Sequence, residues 1–144
     1  MRTARVVVVL VASLVLGGCG AATTSAPSSG GGPSATLPAL RTKLASLALD
    51  ECLTQPGAQA YPNCSRFVRE VQNVVPAARA ESGAVASPGA LVAAADAVDG
   101  AVGRLTQDTC VATGGAPVGG PQDCGPDFTS LQQSFRNLVA AVGS

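Results

Sequence analysis

Four stretches of this chain repeat apolar residues at intervals of three and four, the spacing that puts them on one face of a helix. The first is Leu37, Leu40, Leu44 and Leu47. The second is Phe67, Val68, Val71, Val74, Val75 and Ala78. The third runs Leu91, Ala94, Ala95, Val98, Val102 and Leu105, the fourth Phe128, Leu131, Phe135, Leu138 and Val142. Each stripe is narrow, as in a helical bundle, and polar residues such as Arg41, Lys43, Gln72, Asn73, Gln132 and Gln133 fill the other faces. No alternating strand pattern of useful length accompanies them. Start signals agree. Ser87-Pro88 reads as an N-cap followed by proline, and Pro38 is tolerable in a first turn. Pro126 marks the start of the last helix, with Asp127 in its first turn. Pro76 falls inside the second stripe and is expected to kink that helix or end it near Val75.

The front of the chain has a different pattern. Arg2 and Arg5 precede Val6 to Leu16, a run of eleven residues that is strongly apolar apart from Ala12 and Ser13. A membrane-spanning helix needs about 20 such residues, so the run has the length of a secretory h-region instead. It ends Leu16-Gly17-Gly18-Cys19. This resembles the lipobox of bacterial lipoproteins, with glycine where alanine or serine is commoner two residues before the cysteine. The resemblance implies cleavage after Gly18 and a diacylglyceryl group on the Cys19 sulfur. Residues 1–18 would be the signal peptide, and the mature protein would sit on the outer face of the cell membrane. Two acyl chains make a stable anchor because each buried methylene contributes about 0.8 kcal/mol. Arginine outnumbers lysine eight to one and alanine is abundant, a composition of GC-rich, actinobacterial type.

Residues 20–36, GAATTSAPSSGGGPSAT, hold no charge and no large apolar side chain, and cannot bury enough surface to offset chain entropy. Together with the lipidated cysteine they read as a tether, residues 19–36, with a reach of roughly 21–25 Å. The helical body is expected over residues 37–144. Without residues 1–18 the chain carries seven basic and nine acidic side chains. No polybasic stretch flanks Cys19 to assist the anchor.

Four cysteines remain in the body: Cys52, Cys64, Cys110 and Cys124. Outside the cytoplasm disulfides are the default, and three pairings are possible. The pattern favours Cys52 with Cys64 and Cys110 with Cys124, because each pair brackets a Pro/Gly-rich loop between two stripes. Zinc is the competing use, but there is no CxxC spacing and no histidine. The halves also echo each other. Leu47 and Leu105 lie five residues before their cysteines, and Phe67 and Phe128 follow the second cysteine of each pair by three and four. The expected fold is therefore all-α: an up-down-up-down four-helix bundle made of two disulfide-stapled helical hairpins. Closing each loop contributes about 2–3 kcal/mol in the chain-entropy model, a large share where alanine-rich helices make a thin core.

That topology puts both stapled loops at one end, and the tether, the 81–87 connection and the C-terminus at the other. Asp50, Glu51, Asp108, Asp123 and Asp127 fall at the stapled end, against Arg66, Arg69 and Arg104. Tyr61, the only tyrosine, lies in the first loop. Tyr61, Asp50, Asp108 and Asp123 are the candidate partner contacts.

Composition excludes more chemistry than it supports. Without histidine no imidazole can serve as base or ligand, and HExxH, GxSxG, Walker and GxGxxG motifs are lacking. Basic and acidic residues balance at nine each, which argues against phosphate-driven nucleic-acid binding. No cofactor, metal site or catalytic residue is expected. The leading expectation is a non-enzymatic envelope lipoprotein that meets another envelope protein through its distal loops. The alternative is a carrier of a small apolar ligand or lipid between the helices.

Overall fold

The computed structural model describes residues 36–112 and 116–143. The expected signal peptide, the lipidation at Cys19 and nearly all of the tether lie outside the described residues. Helix α1 spans Leu37–Leu47 and is opened by Thr36, whose hydroxyl oxygen accepts the Ala39 N–H at 3.4 Å. A 3-10 turn, Glu51–Leu53, and a one-turn helix α2, Gly57–Ala60, fill the first loop. Helix α3 spans Ser65–Ala80, a second 3-10 turn covers Ser82–Ala84, and α4 spans Pro88–Gln107. Helix α5, Pro121–Gly143, ends the described chain, and no strand occurs among the described residues.

The four long helices form the expected antiparallel bundle, in which α1 packs on α3 and α5, and α4 lies between α3 and α5. Cross-links fix the directions. Arg41 near the start of α1 donates from both Nε and Nη2 to the Val142 carbonyl near the end of α5, each at 3.1 Å. Arg79 late in α3 reaches Asp96 at 2.8 Å and Asp99 at 3.0 Å on α4. Arg104 late in α4 meets Asp127 early in α5 at 3.4 Å. Disulfides Cys52–Cys64 and Cys110–Cys124 staple the two hairpins, with Cα–Cα separations of 5.9 and 5.4 Å.

The core is built from the predicted stripes, and every stripe residue named above is buried except Leu37, which packs against its edge. Small side chains on α4 (Ala94, Ala95, Ala101) let the neighbouring helices approach closely. Bulk comes from three phenylalanines. The Phe67 ring lies 5.7 Å from Phe135, edge-on, and 6.3 Å from Phe128. Such aromatic pairs add about 0.5–1.5 kcal/mol beyond burial. Phe67 is the third residue of α3 and Phe128 the eighth of α5, so the two phenylalanines that echo each other in sequence meet from different turns of their helices.

Four local expectations need correction. Pro76 does not end α3, which continues to Ala80. Only the Gln72 carbonyl loses its helical donor there, while Val74 and Val75 before the proline and Ala78 after it stay packed in the core. Helix α5 begins at Pro121, five residues before Pro126, and Asp123 rather than Asp127 lies in its first turn. Ser87 makes no side-chain cap, and α4 starts instead with its carbonyl accepting the Ala90 and Leu91 N–H groups. Gln132, placed on a polar face by its chemistry, is 4% exposed.

Candidate functional site

The stapled end is assembled from two loops of different construction. In the first, the Asp50 carboxylate accepts the Cys52 N–H at 2.9 Å and so caps the 3-10 turn. Helix α2 then lies against the first turns of α5, and the contact is made backbone to backbone. A Cβ at Gly57 would overlap the Gly125 carbonyl oxygen and the Thr129 hydroxyl, and one at Gly125 would lie 3.0 Å from the Ala58 Cβ. Glycine at both positions is what allows this seat. Gln132 secures it from below. Its amide donates to the Cys52 carbonyl at 2.7 Å and to the Gln55 carbonyl at 2.9 Å. One turn further along α5, Arg136 donates to the Leu53 carbonyl.

In the second loop, α4 ends in a Schellman motif. The Cys110 N–H reaches the Leu105 carbonyl at 2.8 Å and the Thr109 N–H reaches Thr106 at 3.2 Å. The residue between them, Thr109, has φ of 55°, the left-handed region that a β-branched residue seldom enters. Its carbonyl accepts the N–H groups of Val118 and Gly119 at 3.1 and 3.2 Å, which folds the returning chain onto the helix end. Gly119 lies so close to the Cys110–Cys124 bridge that a side chain there would meet its sulfurs.

The loops are joined to each other. The Tyr61 hydroxyl donates to the Gly119 carbonyl at 3.3 Å, and the Ala112 N–H donates to the Ser65 hydroxyl at 3.0 Å. Tyr61 is 7% exposed, so its ring is packed into this junction rather than displayed to a partner.

The aspartates do not gather. Asp50 is occupied as a cap, and Asp123 is exposed in the first turn of α5. Asp108 caps the end of α4, and its carboxylate acts on that of Asp127. Burial, and then the Asp108 carboxylate, push the Asp127 carboxyl above its ordinary value, and Arg104 opposes the shift. Among the described residues no group of three or more His, Cys, Asp or Glu could hold a metal ion.

Three features of this end carry no motif in the sequence. Leu49 and Val118 are exposed at 88% and 86%, one in each hairpin at the stapled end. Their signal in sequence is that each falls off its stripe, Val118 between a proline and two glycines. A groove of about 1140 Å³ also runs along α3, the last turn of α4 and the second loop, lined by Ser65, Arg69, Gln72, Val111, Pro117 and Val118 among others. A smaller depression of about 250 Å³ lies beside the first disulfide, with Asp50, Glu51 and Arg66 in its walls. Arg66 and Arg69, placed at this end by the topology, sit three apart on α3, one in the lining of each depression.

Comparison with known proteins leaves this site to its own geometry: no family model, no curated protein and no solved structure matches the chain. Among the described residues no helix is long and apolar enough to cross a membrane.

Proposed function

We propose that this chain is an envelope lipoprotein, anchored by acyl groups on Cys19 on the outer face of the cell membrane, and that it acts without catalysis as an interaction module. The body is the display, and the doubly stapled end is the surface offered to a protein partner. The observation that carries this reading is the position of Leu49 and Val118. Both are large, apolar and exposed at the end of the bundle remote from Leu37, where a tether would enter. Exposed apolar side chains on a rigid rim, beside a groove, are what a docking surface needs. A bundle centre filled by Phe67, Phe128 and Phe135 favours this over the carrier reading.

The test has two parts. Labelled palmitate should enter the protein in cells of the native host, and Cys19→Ala should abolish labelling and release the protein from the membrane fraction. A photo-crosslinking residue at Leu49 or Val118 should then capture a defined protein that the same residue at Val92, near the opposite end, does not. Persistent membrane association of the Cys19 variant defeats the anchor, and equal capture at all three positions defeats the display.

A further inference from the structure

We infer that the groove along α3, α4 and the second loop receives an extended acidic peptide of the partner, with a carboxylate on Arg69 and an apolar side chain against Val118. This rests on the reading of the stapled end as an interaction surface and names the chemistry of what it binds. The argument begins with the cations of the described body. Five of the seven are engaged: Arg41 on the Val142 carbonyl, Lys43 on Glu70, Arg79 on Asp96 and Asp99, Arg104 on Asp127, and Arg136 on the Leu53 carbonyl. Arg66 and Arg69 have no ion pair or hydrogen bond among the described residues.

The two differ in their surroundings. Arg66 lines the small depression that also holds Asp50 and Glu51, so carboxylates of the chain itself stand nearby. Arg69 lines the large groove, and no acidic residue is among the described residues that line it. Glu70, its neighbour in sequence, is held by Lys43 on α1. Glu70 also feels the charges of Arg66 and Arg69 but makes its direct contact with Lys43, so the helical wall of the groove presents a guanidinium without an ion-pair partner among the described residues. Beside it the Gln72 amide is a donor, and the Ser65 hydroxyl, already accepting from Ala112, keeps its own proton to donate. The rest of the lining, from the end of α4 and the second loop, is mainly apolar, with Val111, Pro117 and exposed Val118 beside two threonines. A cation and donors sharing one groove with apolar side chains complement an acidic side chain next to an apolar one. The groove is open to solvent rather than enclosed, which suits a run of chain.

Two panels of short fluorescein-labelled peptides test this on the full-length chain in detergent micelles. One panel places Asp or Glu two residues from Leu, Val or Phe, and the other carries Asn or Gln in the same places. Fluorescence anisotropy should find binders in the acidic panel whose amide counterparts bind about tenfold more weakly. Arg69→Gln should produce the same loss, Val118→Asp should abolish binding, Arg66→Gln should stay within about twofold, and added salt should weaken the complex. Binding that is equal for the amide panel, or indifferent to Arg69→Gln, overturns the proposal. Competition by acetate or succinate at concentrations matching the peptide overturns it in favour of a small carboxylate ligand. An acidic panel without binders, while cross-linking at Val118 still captures a protein, overturns the groove assignment and leaves the interaction module standing. Failure of both removes both.

Discussion

Gln132→Leu is the sharpest test of how the first loop is held. The substitution keeps a side chain of similar size and deletes the amide that donates to the Cys52 and Gln55 carbonyls. The Cys52 carbonyl is then left in a buried setting without a donor, and an orphaned buried acceptor costs about 1–3 kcal/mol. Gln55 is only half-buried, so water recovers its carbonyl and the loss there is about 1 kcal/mol. The more apolar leucine returns about 1 kcal/mol. The expected net is a destabilisation of about 2 kcal/mol, which for a body of this size lowers Tm by roughly 8 °C. Thermal and urea melts followed by circular dichroism under non-oxidising, non-reducing conditions would measure it. Gln133→Leu, on the exposed neighbour, should change stability by less than about 0.5 kcal/mol. Gln132→Glu adds a sign. Its carboxyl, facing two carbonyls, has a folded pKa above its unfolded value, so its penalty is absent below the unfolded pKa and grows as pH rises through the folded one. A Gln132→Leu variant as stable as wild type, with both disulfides intact, would refute the clamp.

Three further outcomes are expected. Gly57→Ala must push α2 off α5 and should destabilise by about 1–3 kcal/mol, whereas Gly103→Ala, which has open space around it, should stabilise by about 0.5–1 kcal/mol; paired urea melts decide, and equal effects would contradict the seat. Thr109→Gly relieves a left-handed threonine at some cost in unfolded-state entropy and should raise stability by about 0.5 kcal/mol, so a fall in Tm would count against the Schellman geometry. Asp127 has a raised carboxyl pKa, so its native penalty is complete above that pKa and disappears as pH falls below the ordinary carboxylate value. Asp108→Asn should move the Asp127 titration, read by carboxyl NMR, back toward the ordinary range, and an unmoved titration would mean burial alone sets it.

The bundle was legible because its information is local. Periodic stripes name the buried face of each helix, and the bracketing cysteines name which helices pair. Residues such as Leu44, Val71, Val98 and Phe135 therefore fall where the spacing puts them. Boundaries were less legible, because one lost backbone hydrogen bond is easily outweighed by packing. Pro76 and Pro126 both lie inside helices for that reason. What could not be read was the docking of one loop on a distant helix. Nothing near Gln132 in sequence announces that residues 52–55 will cover it, and nothing near Tyr61 announces Gly119. The candidate site was legible as an end of the molecule, through topology, and not as particular side chains. Of the aspartates that drew notice, Asp50 is a cap, Asp108 neighbours Asp127 at a helix end and Asp123 is exposed in a first turn, while Leu49, Val118 and Arg69 gain meaning only from what surrounds them in space.

The ties between the two loops have a mechanical consequence. With the Tyr61 and Ser65 contacts added to two covalent bridges, one pole of the molecule is locked covalently, while the other is closed by non-covalent ties alone among the described residues: Arg41 on Val142, Arg79 on Asp96 and Asp99, and the short turn at residues 82–84 beside buried Val85. Breathing should start at the unlocked pole and travel toward the locked one. Tension applied along the chain would accordingly peel α1 from its free end first, and the rim carrying Leu49 and Val118 would be the last part to lose its shape.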